Sequence, residues 1–226
     1  MSAIPDNSND RGRRAEEVAQ WYFRLNGFLQ TGFVLHDDQP HRQVTEADVL
    51  AVRFPHSEES LRDIRVTDHQ WIREVTPRQQ TLFVIAEVTQ GGPCKVNDPW
   101  RDPSSSAMEK AIRRLGFALP EKRAGIAKAM YDRLRWPGDN FVLQFLSIGD
   151  RTNDGLSTRY QDLVQLTWDG IAGFLWDRFH AFGQIKGWPP QWPEFGRTFA
   201  QRVESGEVSS AQQAVDCVAT YIQDGR

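Results

Sequence analysis

Two carboxylates lie inside apolar segments that the sequence predicts to be strands. Glu87 interrupts the apolar run of residues 82–88, and Asp48 lies between Ala47 and Val49 in the preceding predicted strand. An ionised carboxylate in a sheet costs several kcal/mol unless it is paired or binds a cation. If the two strands pair, the two acids come within a few ångströms and suit Mg²⁺, which needs one or two carboxylates. Alternatively, both acids lie at strand ends and contact helix caps or arginines.

A third candidate acid, Glu16, lies on the first predicted helix, residues 11–25. It shares a helix face with Ala19 and Phe23, so its side chain is predicted to point toward the sheet. Its neighbour Glu17 is the competing acid, because an acid in solvent near a helix start is stabilised by the helix dipole.

The elements that position these acids follow from hydrophobic periodicity. Strict alternation along the second strand predicts Glu46, Asp48, Leu50 and Val52 on one face, opposite Ala47, Val49 and Ala51. A polar excursion near residues 55–80 follows, with strand character at 64–66 and 71–75. The predicted strands cover residues 29–35, 44–54, 82–88 and 141–148. The later helices are predicted at residues 104–119, 122–134, 166–182, 194–205 and 209–223, with Thr167 as the cap of the helix at 166–182.

This order predicts an α/β fold, a mixed central sheet flanked by helices. We expect a flexible N-terminus over residues 1–10 and a core over residues 11–150 that contains the polar insertion. Residues 151–226 are predicted to form a C-terminal helical extension packed on the core.

The composition is that of an ordinary globular chain. It has 226 residues, of which 39% are hydrophobic and 25% charged, and a formal net charge of −3. This balance excludes an overall basic nucleic-acid-binding coat but allows a local basic face. Two cysteines cannot build a disulfide framework or a cysteine zinc site. The sequence shows neither a long apolar run nor a secretory signal, so we expect a cytoplasmic protein without membrane association; its oligomeric state stays open.

Four short motifs occur in an order that resembles the PD-(D/E)xK nuclease superfamily, most closely its small, predicted Holliday-junction-resolvase-like members. The motifs are Gly12-x-x-x-Glu16, Asn26-Gly27-Phe28, Glu46-Ala47-Asp48-Val49 and the segment Phe-Val-Ile-Ala-Glu-Val-Thr at residues 83–89. Each motif is short, and their order on helix, strand and strand gives the resemblance its specificity. The resemblance implies a restriction-endonuclease-like core and metal-dependent cleavage of DNA.

The resemblance also implies a role for each acid. Asp48 and Glu87 would bind Mg²⁺ or Mn²⁺, and Glu16 would orient the water bound to the metal. The metal would lower the pKa of that water and stabilise charge developing on phosphorus.

The sequence departs from the family at Thr89, where the family has a catalytic lysine. A hydroxyl cannot supply positive charge. Lys95 is the nearest amine, and Gly91 and Gly92 allow its loop to fold back toward the strand end. An active nuclease with Lys95 as the substitute is our first hypothesis. The alternative is a degenerate nuclease fold that binds nucleic acid or a protein partner.

Basic residues predict a surface that follows phosphates. Residues 109–136 contain eight basic residues against three acids. The candidates for DNA contact are Arg11, Arg13, Arg14, Lys110, Arg113 and Arg114. Solvated helix faces with scattered ion pairs are the alternative. Trp188 and Trp192 lie beside prolines and could form a lid or a docking patch.

Overall fold

The computed structural model describes residues 7–36, 43–61, 63–76, 80–183, 185 and 192–225. Its strands are β1 (Leu29–His36), β2 (Gln43–Arg53), β3 (Glu59–Leu61), β4 (Ile64–Val66), β5 (Thr81–Val88), β6 (Arg135–Pro137), β7 (Phe141–Gly149) and β8 (Val164–Thr167). Its helices are α1 (Asn7–Leu25), α2 (Gln70–Val75), α3 (Ala107–Leu115), α4 (Pro120–Arg133), α5 (Asp154–Arg159), α6 (Trp168–Phe182), α7 (Glu194–Glu204) and α8 (Ala211–Asp224). Two 3₁₀ turns, Asp98–Trp100 and Pro103–Ser105, precede α3.

Six of these strands form one mixed sheet in the order β1-β2-β5-β7, with β6 and β8 both paired to β7. The pairs β1–β2, β2–β5 and β6–β7 are antiparallel, whereas β5–β7 and β7–β8 are parallel. The hairpin β3–β4 lies outside this sheet. The predicted α/β class, a mixed sheet flanked by helices, is confirmed.

Helices cover both faces of the sheet. Val84 and Ala86 of β5 pack into one core with α1, α6, α7 and α8, whereas Ile85 packs into a second core with α3 and α4. Strand β5 is therefore buried on both sides, as its nearly continuous apolar sequence indicates.

A β-bulge interrupts the pairing of β1 with β2 at Asp48. Thr31 pairs with Leu50 and Phe33 with Ala47, so Asp48 and Val49 both lie opposite Gly32. A Cβ on Gly32 would lie 3.3 Å from the Asp48 carbonyl oxygen, so this glycine permits a close approach. The bulge makes the predicted alternation wrong at Ala47, which shares a core with Leu50 rather than with Val49.

The polar excursion is held to the core by two buried arginines. The Arg53 guanidinium donates to the Asn26 carbonyl oxygen at 2.8 Å and pairs with Asp68 at 2.7 Å. Arg178, on α6, pairs with Glu59 of β3 at 3.2 Å. The excursion therefore packs against both α1 and α6 instead of extending into solvent.

Several predicted boundaries are wrong. Residues 71–75 belong to helix α2 rather than to a strand, because Trp71, Ile72 and Val75 occupy one helical face and are buried. The helix predicted from residue 104 begins at Ala107, since Ser106 has a left-handed backbone (φ 57°), and it ends before Gly116 (φ 73°).

The two ends of the chain also differ from expectation. Helix α1 begins at Asn7 rather than at residue 11, and residues 1–6 lie outside the described part. The region after residue 150 is not purely helical, because β8 joins the central sheet. The predicted Thr167 cap is confirmed, since its hydroxyl accepts a hydrogen bond from the Gly170 N–H at 3.2 Å. No described helix is both long and apolar enough to cross a membrane.

The packing of α7 on α1 yields a stability prediction. A Cβ on Gly196 would overlap the Trp21 ring, whereas a Cβ on Gly173 of α6 would have no atom within 4 Å. We expect Gly196→Ala to destabilise the fold by about 1–3 kcal/mol through overpacking. The matched Gly173→Ala should stabilise it by about 0.5–1 kcal/mol through helix propensity. Urea unfolding of both variants measures the difference, and equal effects would contradict the packing described.

Candidate functional site

Asp48 and Glu87 lie where β2 and β5 leave their ladder. Val49 pairs with Ala86, so Asp48 and Glu87 are the next residues on the two strands. The Val88 N–H donates to Oδ2 of Asp48 at 2.6 Å. The bulge turns the Asp48 side chain toward the end of β5. The Asp48 carboxylate is thereby hydrogen-bonded to Val88, the residue that follows Glu87.

Glu87 is the most deeply buried acid of the site, at 5% exposure. The Asn97 side-chain amide donates to its Oε1. Its Oε2 is buried and has no hydrogen-bond partner within the described residues. The buried indole N–H of Trp100 interacts with the same carboxyl group and lowers its pKa, but it makes no hydrogen bond of full geometry. One carboxylate oxygen therefore accepts a hydrogen bond, whereas the other accepts none of full geometry from the described residues.

Glu16 is the acid that α1 contributes to this cluster. It is partly buried, and it interacts electrostatically with Asp48 and Glu46. Glu17 has a structural role, because it accepts hydrogen bonds from the Phe195 N–H at 3.0 Å and the Tyr221 hydroxyl at 2.7 Å. The two adjacent acids therefore have different surroundings. Glu16 lies near Asp48, whereas Glu17 binds α7 and α8.

All three acids have raised pKa values. Burial and then Asp48 raise the pKa of Glu87 to about 8. Burial raises the pKa of Asp48 to about 6, against the lowering effect of the Val88 N–H. Burial, Asp48 and Glu46 together raise the pKa of Glu16 to about 7. Three neighbouring acids whose charged forms are all disfavoured are typical of a functional site.

Among the described residues, no basic side chain is paired with these acids. Within the described ranges, no Lys or Arg forms an ion pair with Glu16, Asp48 or Glu87. No group of three His, Cys, Asp or Glu side chains in that same part of the chain converges as a ready-made metal cage. Asp48 and Glu87 can therefore supply two ligands, with Glu16 outside the ligand set.

Comparisons with known proteins give no further guide to the site. No family model, curated protein or solved structure matches this chain. What the site does must therefore be inferred from its geometry and chemistry.

Thr89 continues the parallel ladder beyond β5. Its N–H donates to the Ile148 carbonyl oxygen at 2.8 Å, and its own carbonyl oxygen accepts from the Trp168 indole at 3.3 Å. Because the strand stays regular, Thr89 lies on the same side of the sheet as Glu87. The side chain at this position is a neutral hydroxyl, so it carries no positive charge.

The loop that carries Lys95 crosses the end of β7. The Ser147 hydroxyl donates to the Lys95 carbonyl oxygen at 2.6 Å, and Ser147 is the ladder partner of Glu87. The Lys95 side chain is exposed and makes no ion pair with any described residue. The loop residue that reaches Glu87 is Asn97, which no sequence motif singles out.

The predicted DNA-contacting residues divide between two faces of the sheet. Arg11 and Arg13 are exposed on α1, whereas α3 carries Lys110, Arg113 and Arg114 on the opposite face. Arg14 is engaged elsewhere, because its guanidinium donates to the Ile222 and Gln223 carbonyl oxygens at 3.0 and 2.8 Å. These positions do not form one basic patch.

Partners also occupy two of the α3 arginines. Arg114 lies 4.2 Å from the centre of the Phe33 ring, and Arg113 pairs with Glu109 at 3.7 Å. Trp192 packs 4.8 Å from Trp21, ring centre to ring centre, in the core rather than as a lid. Trp188 lies outside the described residues.

The raised pKa of Glu87 predicts how stability depends on pH in metal-free buffer. Because the folded pKa is about 8 and the unfolded value is 4.5, this group's contribution is fully present below about pH 4.5 and is lost as pH rises through about 8. Glu87→Gln removes that loss. Its stability gain over the wild type should grow by at least about 1 kcal/mol between pH 5.5 and 8.5, or about 2–4 °C in Tm.

Thermal melts of the wild type and Glu87→Gln at the two pH values measure this difference. Glu121→Gln, which changes an exposed acid on α4, controls for the loss of any carboxylate. A constant offset between wild type and Glu87→Gln at both pH values would contradict a raised Glu87 pKa.

Proposed function

We propose that this protein hydrolyses phosphodiester bonds in DNA with the help of a divalent cation, using a restriction-endonuclease-like core. The observation that carries the proposal is that the buried Oε2 of Glu87 accepts no hydrogen bond of full geometry from the described residues, while Asp48 acts electrostatically on the same carboxyl group. Uncompensated carboxylates at a rigid strand end are the ligands that Mg²⁺ or Mn²⁺ prefers.

The residues present fit such a cation. Oε2 of Glu87 is a buried acceptor without a hydrogen bond of full geometry from the described residues, and Asp48, which the Val88 N–H holds, interacts electrostatically with Glu87. Mg²⁺ is usually bound by one or two carboxylates together with waters and substrate phosphates, so two acids are sufficient. When bound, the cation would lower the pKa of a water molecule and stabilise charge developing on the phosphate.

Glu16 would orient the attacking water and accept its proton. Its pKa of about 7 places it close to neutral pH, where a general base is effective. Its location on α1 lets it approach the substrate from the helix side, while Asp48 and Glu87 hold the cation from the sheet. Arg11 and Arg13, exposed on the same helix, would contact DNA phosphates.

The resemblance to PD-(D/E)xK nucleases supports this proposal through the secondary-structure elements that carry the three acids. The motif acids Glu16, Asp48 and Glu87 lie on α1, β2 and β5, which are the helix, strand and strand that the resemblance implies. Thr89 stands where the family has a lysine, and its hydroxyl supplies no positive charge.

That departure favours a second candidate function, a degenerate nuclease fold that binds nucleic acid or a protein partner without cleaving. The uncompensated acids favour the active enzyme, because a protein that has lost catalysis gains nothing from keeping a buried, unpaired carboxylate oxygen. Cleavage assays separate the two.

We expect the purified protein to cleave supercoiled, linear or branched DNA with Mg²⁺ or Mn²⁺ and to lose this activity in EDTA. Glu87→Gln and Asp48→Asn should each lower the rate by about 10²–10⁴, the usual effect of losing one catalytic group. Glu121→Gln should retain full activity. DNA binding without cleavage in either metal would favour the degenerate fold instead.

Lys95 is the candidate to replace the missing lysine, and its role is tested separately. Lys95→Ala should lower the cleavage rate by about 10²–10⁴. An exposed loop lysine contributes under about 0.5 kcal/mol to folding, so Tm should stay nearly unchanged. Full activity of Lys95→Ala would remove Lys95 from the mechanism. Cleavage that appears only in Thr89→Lys would show that the natural protein is a degenerate nuclease.

A further inference from the structure

The loop between β5 and α3 is fastened across the end of the neighbouring strand, β7. The Cys94 N–H donates to the Arg151 carbonyl oxygen at 2.8 Å, and the Asn153 side chain donates to the Cys94 carbonyl oxygen at 3.2 Å. A Cβ on Gly149 would lie 2.7 Å from the Cys94 nitrogen, so the loop crosses β7 in close contact. These contacts give the loop a defined path.

The loop returns to Glu87 through the 3₁₀ turn Asp98–Trp100. Asn97 is the N-cap residue of this turn. The backbone N–H of Trp100 donates to the Asn97 carbonyl oxygen at 3.0 Å. Trp100 is fully buried and packs edge-on against Phe145 of β7, with ring centres 5.6 Å apart. The backbone turn therefore links the Asn97 amide to a rigid aromatic anchor.

The two oxygens of Glu87 differ because of this turn. Asn97 donates to Oε1, and Oε2 is left without a partner within the described chain. The donor is neutral, so it fixes the carboxylate without cancelling its charge. A lysine in this place would bind the same oxygen and reduce the attraction for a cation.

We propose that Asn97 is the positioning residue of the site: it holds Glu87 so that Oε2 is presented to a divalent cation. This inference rests on the proposed function. The buried Trp100 indole N–H interacts with the same carboxyl group. Asn97 acts through Glu87 and need not touch the substrate. Groups that orient metal ligands commonly change metal affinity by about 10–100-fold when they are removed.

A merely structural role, in which Asn97 only anchors the loop, can be separated by a matched variant. Asn153 anchors the same loop through Cys94, and its bonded partners do not include Glu87. Asn153→Ala therefore removes an asparagine anchor while leaving the Glu87 contact intact. Asn97 is itself exposed, so its truncation is not expected to prevent folding.

The test is Mn²⁺ binding by isothermal titration calorimetry to the wild type, Asn97→Ala, Asn97→Gln and Asn153→Ala. We expect Asn97→Ala to weaken Mn²⁺ binding by about 10–100-fold. Asn97→Gln, which keeps an amide donor, should recover part of that affinity, and Asn153→Ala should bind as the wild type does. Carbon-13 NMR of the Glu87 carboxyl without metal supplies a second readout, in which only Asn97→Ala and Asn97→Gln shift the resonance.

Three outcomes would contradict the positioning role of Asn97, and one of them would also contradict the proposed function. Wild-type affinity in Asn97→Ala would overturn the positioning role and leave the proposed function standing. Equal losses in Asn97→Ala and Asn153→Ala would assign Asn97 to loop anchoring and also overturn the positioning role. A wild-type protein that binds no Mn²⁺ would overturn the proposed function and this inference together.

Discussion

The buried carboxyl group of Glu87 is the constraint on which the site depends. This side chain is 5% exposed, its neighbour Asp48 is also an acid, and the side-chain amide that donates to it belongs to the neutral Asn97. A folded protein tolerates such a group by keeping it protonated or by binding a cation. Because the surrounding structure keeps Glu87 beside another acid, Glu87 must be either protonated or bound to a cation.

The scaffold holds this arrangement through local departures from regular structure. Gly32 allows the bulge that turns Asp48 toward the end of β5. Gly149 allows the loop to cross β7 and bring Asn97 back to Glu87. Glu17 ties α1 to α7 and α8, which fixes the helix that presents Glu16. Each contact acts on a different acid, so the geometry does not depend on any single loop.

Much of the fold was predictable because burial leaves a direct mark on sequence. The apolar run around Glu87 identifies β5 as a strand buried on both faces, and the Thr167 cap correctly places the start of α6. The bulge at Asp48 was not predictable, because alternation assumes an unbroken register. Trp71 and Val75 fit strand and helix patterns equally well over so short a segment.

The candidate site was predictable in its acids but not in their partners. Buried carboxylates stand out against apolar neighbours, so Asp48 and Glu87 could be found from the sequence. Asn97 is an ordinary loop residue until the chain path brings it to Glu87, ten residues away along the chain. For Arg14, a position within a basic cluster did not reveal that the C-terminal carbonyl oxygens of α8 would bind it.

The central claim is that Asp48 and Glu87 together bind a divalent cation. Crystals grown with Mn²⁺ and measured near the manganese absorption edge test it most directly. We expect an anomalous difference peak about 2.1 Å from oxygens of both carboxylates, the distance typical of an Mg²⁺-like ion. A map with no peak at this site, or with manganese bound only elsewhere on the protein, would contradict it.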